Sequence, residues 1–228
     1  MSLVVALRAS GAVIMAADSR GTIGDPRGLT AINDSQEKLF SLGYCGIGVA
    51  GASEMGNALL NELQKKNLSA AQDVEQVVAT VSQESAECFA RWFRDIAPDK
   101  RPIVLFTIGG YRAGGTAEAM IFMLNSQQNF APQLFGRNPC MVGVPQYAVY
   151  LVHRYYDPGI SIEKAKALAE YLIIETASQD PKVGGPVKLA VITPDKGYAA
   201  LERAEIEAIH RDNEALNKRL REFFLKAG

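Results

Sequence analysis

The sequence has almost no charge imbalance. Its formal net charge is -1, from 24 basic and 25 acidic side chains. Such a balance offers no electrostatic footprint for a polyanion, so nucleic acid is not an expected partner. Long apolar runs are missing as well. Stretches such as Gly11–Ala17 and Ile103–Ile108 fall far short of the roughly 20 residues that a membrane helix needs, and no membrane partner is expected. The N-terminus shows no basic segment followed by an apolar core and a cleavage site. A soluble, cytoplasmic protein is therefore the expectation. Cysteine and histidine are sparse. Cys45, Cys88 and Cys140 are widely spaced, no CxxC occurs, and His153 lies far from His210. Neither a zinc site nor a disulfide framework is expected from that pattern; buried free thiols are. No linker, low-complexity segment or internal repeat interrupts the chain.

What is present suits one globular domain. The chain has 228 residues, 48% of them hydrophobic, enough for a sizeable core. Residues 1–228 are expected to form a single domain, with 201–228 as a C-terminal helical extension. Leu3–Arg8 reads as a strand. Gly11 marks a turn, and Ala12–Ala17 is a continuous apolar run, as in a strand buried on both faces. Residues 21–35, rich in Gly, Asp, Pro, Asn and Thr, read as a loop or irregular ribbon. Lys38–Leu42 and Gly46–Ala50 read as a strand pair. The period then changes. Ser53–Lys66 and Ser69–Asp95 are predicted helices, the first with Ser53 as its cap. Strands return at Ile103–Gly109 and Ala119–Leu124. The Gly-rich segment between them lacks the Lys-Ser/Thr of a phosphate loop and reads as a hairpin turn. Short strands are predicted at Gln133–Phe135 and Cys140–Val144, helices at Tyr147–Tyr155 and Ser161–Ser178, a buried strand at Val187–Thr193, and an amphipathic helix over Glu202–Lys226. Strand blocks separated by helix pairs predict an α+β fold, a four-layer αββα sandwich of two antiparallel sheets flanked by helices.

Four local features stand out. The strand run of MSLVV begins almost at Ser2. The segment AVIMAADSR ends an apolar strand abruptly in Asp18-Ser19-Arg20. EKLF puts Lys38 at the head of another strand, and VAGAS puts Gly51 at a strand-to-helix corner, where backbone N–H groups can bind an oxyanion. Each feature alone has an ordinary reading: a residue behind Met1, solvent-facing strand ends, a turn glycine.

Together, and with SQDPKVGGPVKLAVIT near the end, they resemble the proteasome β-subunit family, a branch of the N-terminal-nucleophile hydrolases, as a bacterial or archaeal homologue. The resemblance runs to about residue 197. It implies that Ser2, freed by removal of Met1, attacks a peptide carbonyl and forms an acyl-enzyme. The α-amine acts as base, its pKa of about 8 suiting neutral pH better than a lysine near 10.4. It further implies that Lys38 lowers the effective pKa of Ser2, that Asp18 holds Lys38, that the Gly51 N–H forms the oxyanion hole, and that Asp180 supports the site from a distant turn. Arg20 fixes the loop after Asp18, Thr22 binds the substrate backbone, and Gly21, Gln36, Val49 and Ser53 line a specificity pocket. Two departures follow from the matched segments. Where the family pattern has serines, Met141-Val142-Gly143-Val144 and Pro181-Lys182-Val183 carry valine, which leaves a drier site. Serine in place of threonine also frees χ1 of the nucleophile. The implied substrate is a peptide or unfolded protein. The implied partners are further copies in homo-oligomeric rings and an ATP-dependent unfoldase. No metal or organic cofactor is implied. Two alternatives stay open: a non-catalytic scaffold subunit, and an amidase or peptide transferase that passes the acyl group to an amine.

Overall fold

The computed structural model of the protein describes residues 2–24, 30–66, 68, 71–114 and 117–225. Two five-stranded antiparallel sheets carry the fold, with five helices and a two-stranded ribbon among the described residues. The first sheet contains β1 (Leu3–Ala9), β2 (Ala12–Ala17), β10 (Cys140–Gly143), β11 (Lys188–Thr193) and β12 (Gly197–Ala200), in the order β10-β1-β2-β11-β12. The second runs β5 (Leu39–Leu42), β6 (Cys45–Gly51), β7 (Val104–Tyr111), β8 (Ala119–Asn125) and β9 (Gln133–Leu134) in chain order. The ribbon pairs β3 (Gly21–Gly24) with β4 (Thr30–Asn33). The mixed content and antiparallel pairing agree with the predicted α+β class.

Strand periodicity decides which apolar side chains go where. Odd residues of β1, Leu3, Val5 and Leu7, join Ile14 and Ala16 of β2 in a cluster with α3 (Gln146–Tyr155) and α4 (Ile162–Gln179). Even residues, Val4 and Ala6, join Val13, Met15 and Ala17 in a second cluster with Leu39, Ala50 and Ile121 of the other sheet. A third cluster packs Ile47, Val49, Phe106 and Ile108 against the apolar faces of α1 (Ser53–Gln64) and α2 (Val74–Trp92). With helix side chains on one face and the other sheet on the second, β1 and β2 bury nearly every residue, which is why they read as unbroken apolar runs.

Several boundaries differ from the sequence reading, each for a local reason. Within residues 21–35, read as a loop or irregular ribbon, β3 and β4 pair with Gly21 opposite Asn33 and Gly24 opposite Thr30. Helix α2 begins at Val74, capped by the Asp73 carboxylate, which accepts from the Glu75 and Gln76 N–H groups at 2.7 and 3.4 Å. The earlier predicted start, Ser69, lies outside the described residues. Ser53 is the first helical residue of α1 rather than its cap; Ala52 holds the cap position without a side-chain bond. Ser161, in contrast, caps α4 through the Lys164 N–H. Strand β12 was not anticipated, its four residues being too short for a period-2 signal. Helix α5 (Arg203–Leu225) is the last of the described elements. No described helix is long and apolar enough to cross a membrane.

Candidate active site

The two sheets bring four strand ends to one place. Ser2 precedes β1, Asp18 follows β2, Lys38 precedes β5, and Gly51 ends β6. Ala17 pairs with Val4, so the antiparallel register sets Asp18 beside the start of β1. The Lys38 carbonyl accepts from the Val49 N–H at 2.9 Å, which fixes Lys38 on the edge of β6.

Asp18 is the hub. Its side chain is fully buried, and each carboxylate oxygen takes two hydrogen bonds. Oδ1 accepts from the Leu3 N–H at 2.9 Å and from Lys38 Nζ at 2.7 Å. Oδ2 accepts from the Arg20 and Gly184 N–H groups, both at 3.1 Å. One side chain thereby ties the peptide next to Ser2 to the lysine, to its own turn and to a distant loop. Lys38 is equally sequestered, at 3% side-chain exposure, and donates a second bond to the Arg20 carbonyl at 2.7 Å. Burial lowers its pKa below the ordinary lysine value of 10.5; the charge of Asp18 and its hydrogen bond oppose that fall, as does Asp34, while Arg20 adds to it.

Ser2 is 5% exposed. Its carbonyl accepts from the Val144 N–H at 2.9 Å, in continuation of the β1–β10 ladder. Gly143 makes this possible. Its φ is +100°, and a Cβ there would lie 1.7 Å from the Ser2 carbonyl oxygen and 3.3 Å from the Ala50 side chain. Backbone and side chain thus crowd together where Ser2, β10 and the end of β6 meet. Gly51 has the same need. At φ +94° its missing Cβ would strike the Ile103 carbonyl at 2.3 Å, so the corner into α1 requires glycine.

The remaining predicted residues divide. Arg20 braces the wall behind Asp18: it forms a two-pronged pair with Asp34 at 2.7 and 2.9 Å and donates to the Pro181 carbonyl at 3.1 Å. Its guanidinium lies against Gly184, where a Cβ would come within 2.6 Å. That contact holds the turn whose N–H reaches Asp18. Asp34 was not found from the sequence; it sits across the ribbon, and no local pattern connects it to Arg20. Ser19 adds a second brace, its hydroxyl donating to the Pro186 carbonyl at 2.6 Å. Gly21 packs face to face with the Gln36 side chain. Thr22 lies in β3 and Ser53 opens α1. Val49 is 4% exposed and packs against Gly56 of α1, within the helix-facing cluster. Asp180 ends α4 and accepts from the Lys182 N–H at 2.8 Å, closing its own turn; Asp18, Lys38 and Ser2 are not among its hydrogen-bond partners. Val142, Val144 and Val183 are all buried.

Comparison with known proteins separates fold from family. No family model matches the sequence, and no curated protein matches it. Solved structures do match over nearly the whole chain. One is the helical assembly of the Anbu complex from Pseudomonas aeruginosa, 21% identical over 99% of this chain and 98% of that one, with a TM-score of 0.77. Another is Anbu (ancestral beta-subunit) from Yersinia bercovieri, 16% identical over 99% and 97%, also with a TM-score of 0.77. Anbu from Hyphomicrobium sp. strain MC1 is 19% identical over 99% and 98%, with a TM-score of 0.76. These neighbours correct the assignment drawn from the sequence motifs. They are Anbu proteins, proteasome-like but a distinct family, and not proteasome β subunits. At such identities the likeness shows the fold.

Proposed function

We propose that the protein is a hydrolase of amide bonds in peptides, with Ser2 as an N-terminal nucleophile once the preceding residue is removed, working within an assembly of identical subunits. One observation carries the reading: a fully buried Asp18 joins the Leu3 N–H, directly after Ser2, to a buried Lys38 through the same oxygen. The solved Anbu neighbours, one of them a helical assembly, support the assembly. The three apolar clusters support an αββα layering in one domain.

The chemistry follows from the placement. Ser2 Oγ attacks the carbonyl carbon of the scissile amide, and its proton passes to the free α-amine. The C–N bond then breaks, the proton leaves with the amine product, and an ester to Ser2 remains. Water attacks the ester, and the acid product departs. The Lys38 charge, held by Asp18 and the Arg20 carbonyl, favours the attacking alkoxide and steadies the negative oxygen that forms. The Gly51 N–H is the proposed oxyanion donor.

The test is the intact mass of the purified protein with and without a β-lactone that acylates N-terminal hydroxyls. The reading expects loss of Met1 and one adduct, absent from Ser2→Ala. Loss of Met1 without an adduct overturns it and leaves a non-catalytic scaffold; an adduct that survives Ser2→Ala overturns it by placing the reactive group elsewhere.

A further inference from the structure

Three of the described arginines are half-buried: Arg8, Arg20 and Arg101. Arg20 donates to Asp34 and to the Pro181 carbonyl, and Arg101 donates to the Ile96 carbonyl at 2.9 Å. The Arg8 guanidinium has no hydrogen bond or ion pair among the described residues. Arginine drawn out of water ordinarily keeps a partner. A second polar group is unmet. Tyr111 is 9% exposed, and its buried hydroxyl has no partner among the described residues. A buried hydroxyl in that state needs a reason.

The strands bring the two together. Both β1 and β7 run away from the candidate site, β1 starting after Ser2 and β7 starting opposite Gly51. Side chains alternate along β1, so Arg8 follows Val4 and Ala6 into the layer between the sheets. Val13, which pairs with Arg8, lies over β7: a Cβ on Gly109 would meet it at 2.9 Å. Tyr111 is the next residue on that face of β7 and belongs to the same inter-sheet cluster. Arg8 and Tyr111 thus enter one end of the layer from opposite sheets, about 24 Å along β7 from the candidate site at a strand's rise per residue. The Tyr156 hydroxyl donates to the Arg8 carbonyl at 2.9 Å and pins the strand end there. Burial raises the Tyr111 pKa above 10.0, the nearby Arg8 charge opposes the rise and Asp195 adds to it, so the phenol is a hydrogen-bond donor at neutral pH.

We propose that this end of the inter-sheet layer binds the carboxylate of a small organic acid, Arg8 supplying the charge and the Tyr111 hydroxyl a hydrogen bond. A water would serve the phenol alone and leave the guanidinium without a counter-charge. One fixed cation and one neutral donor match a singly charged group. A phosphate dianion would call for a second cation, and the negative charge of Asp195 already reaches the phenol. Asp195 is not the missing partner: its carboxylate engages the Thr193 side chain and the N–H groups of its own turn. The site lies at the far end of the sandwich from Ser2, and the proposal is independent of the reading above.

Urea titrations of the full chain at fixed protein concentration test it, in sodium acetate against sodium chloride at equal ionic strength, for wild type, Arg8→Met and Tyr111→Phe. With about 200 mM acetate the unfolding constant of wild type should fall about fivefold or more below its value in chloride, as for a site half-filled near 50 mM. In chloride both variants should match wild type within about threefold in that constant, because neither side chain has a partner inside the chain to lose. Neither variant should share the gain from acetate; a general salt effect would act on all three proteins alike. No gain in wild type, an equal gain in all three proteins, or an equal gain from neutral acetamide overturns the site. A larger gain from phosphate than from acetate, lost in Arg8→Met, overturns the carboxylate assignment. A Tyr111→Phe chain destabilised more than about tenfold in chloride has lost a partner of the hydroxyl inside the protein, which also overturns the proposal.

Discussion

Replacing Asp18 with asparagine removes one charge from a pair in which neither partner meets solvent: side-chain exposure is 0% for Asp18 and 3% for Lys38. The Lys38 ammonium is then buried with the Arg20 carbonyl as its remaining polar partner. Breaking a buried pair from one side costs about 3–5 kcal/mol. Geometry adds to the cost. The carboxylate accepts two bonds on each oxygen, and an amide offers one oxygen. Whichever way it is turned, its NH₂ faces two donors, and unpaired buried donors cost about 1–3 kcal/mol. The expected loss at pH 7 is at least 3 kcal/mol, or a fall of roughly 10 °C in Tm for a chain of this size. The loss depends on pH with a definite sign. Lys38 already titrates below its ordinary value, and the variant strips away the Asp18 charge that opposes the fall, leaving Asp34 as the acidic group that still holds it up. The folded variant therefore binds fewer protons than the unfolded chain, and its stability rises with pH up to the ordinary lysine range near 10.5. Lys38→Met removes the other partner and leaves the carboxylate with three N–H donors. The double variant, with no buried charge, should be more stable than the sum of the single losses allows by about 2 kcal/mol or more. Urea titrations at fixed protein concentration measure all four proteins. A loss below 1 kcal/mol for Asp18→Asn, or strict additivity in the cycle, refutes the reasoning.

Gly143→Ala should cost about 3 kcal/mol or more, because a Cβ 1.7 Å from the Ser2 carbonyl forces the β1–β10 ladder apart at a positive φ; a thermal melt within 2 °C of wild type would contradict this. Glu170→Ala leaves His210 Nδ1 and Asn213 Nδ2 facing an empty buried site, and hydrogen exchange over residues 203–217 should quicken at least tenfold; unchanged exchange would show that the polar latch does not hold α5. Burial pushes Cys45 and Cys140 up to about 12 from 9.0. The folded chain thus holds protons that the unfolded chain loses, and stability should fall as pH rises from 9 towards 12, by up to about 1.4 kcal/mol per pH unit for each thiol. Cys45→Ala should flatten that slope in urea titrations at pH 8.5, 9.5 and 10.5, and an unchanged slope counts against the assignment.

The sequence disclosed those parts of the fold that repeat along the chain. The apolar runs of β1 and β2 and the three-and-four spacing of α1 and α2 are local signals, and the structure has elements at all four places. It disclosed less of the site, because the site is made by convergence. Asp18 could be picked out as a charge ending an apolar strand. Its acceptance of the Gly184 N–H, with a partner 166 residues away, could not. Asp34 is invisible for the same reason. The need for glycine at 143 lies in its clearance from Ser2, which only the β1–β10 register defines. Asp180, expected to support the site from a distant turn, closes the turn after α4 with its carboxylate, and that turn meets Arg20 through the Pro181 carbonyl and Asp18 through the Gly184 N–H. The family assignment failed because strand-end charges and corner glycines are features of a fold, and solved Anbu structures share this fold at 16–21% identity.

The cost of the Asp18–Lys38 pair argues for what it does. Removing two charges from water roughly cancels their attraction, and apolar replacements of equal volume are often neutral or stabilising. Stability alone therefore gives little reason to bury this pair, in a chain that fills the surrounding positions with Val4, Leu39 and Ala50. The braces around it are polar too. Arg20 and Asp34 hold the Pro181–Gly184 turn, and Ser19 holds Pro186, so that the Gly184 N–H meets Asp18. Each contact restricts where the carboxylate sits, and the carboxylate in turn restricts the Leu3 peptide and Lys38 Nζ. A structural pair and a positioning pair thus differ in what the double variant does. If the pair only stabilises, Asp18→Asn with Lys38→Met keeps both its fold and the reaction of Ser2 with the β-lactone. If the pair places a charge for Ser2, the same variant folds and does not react.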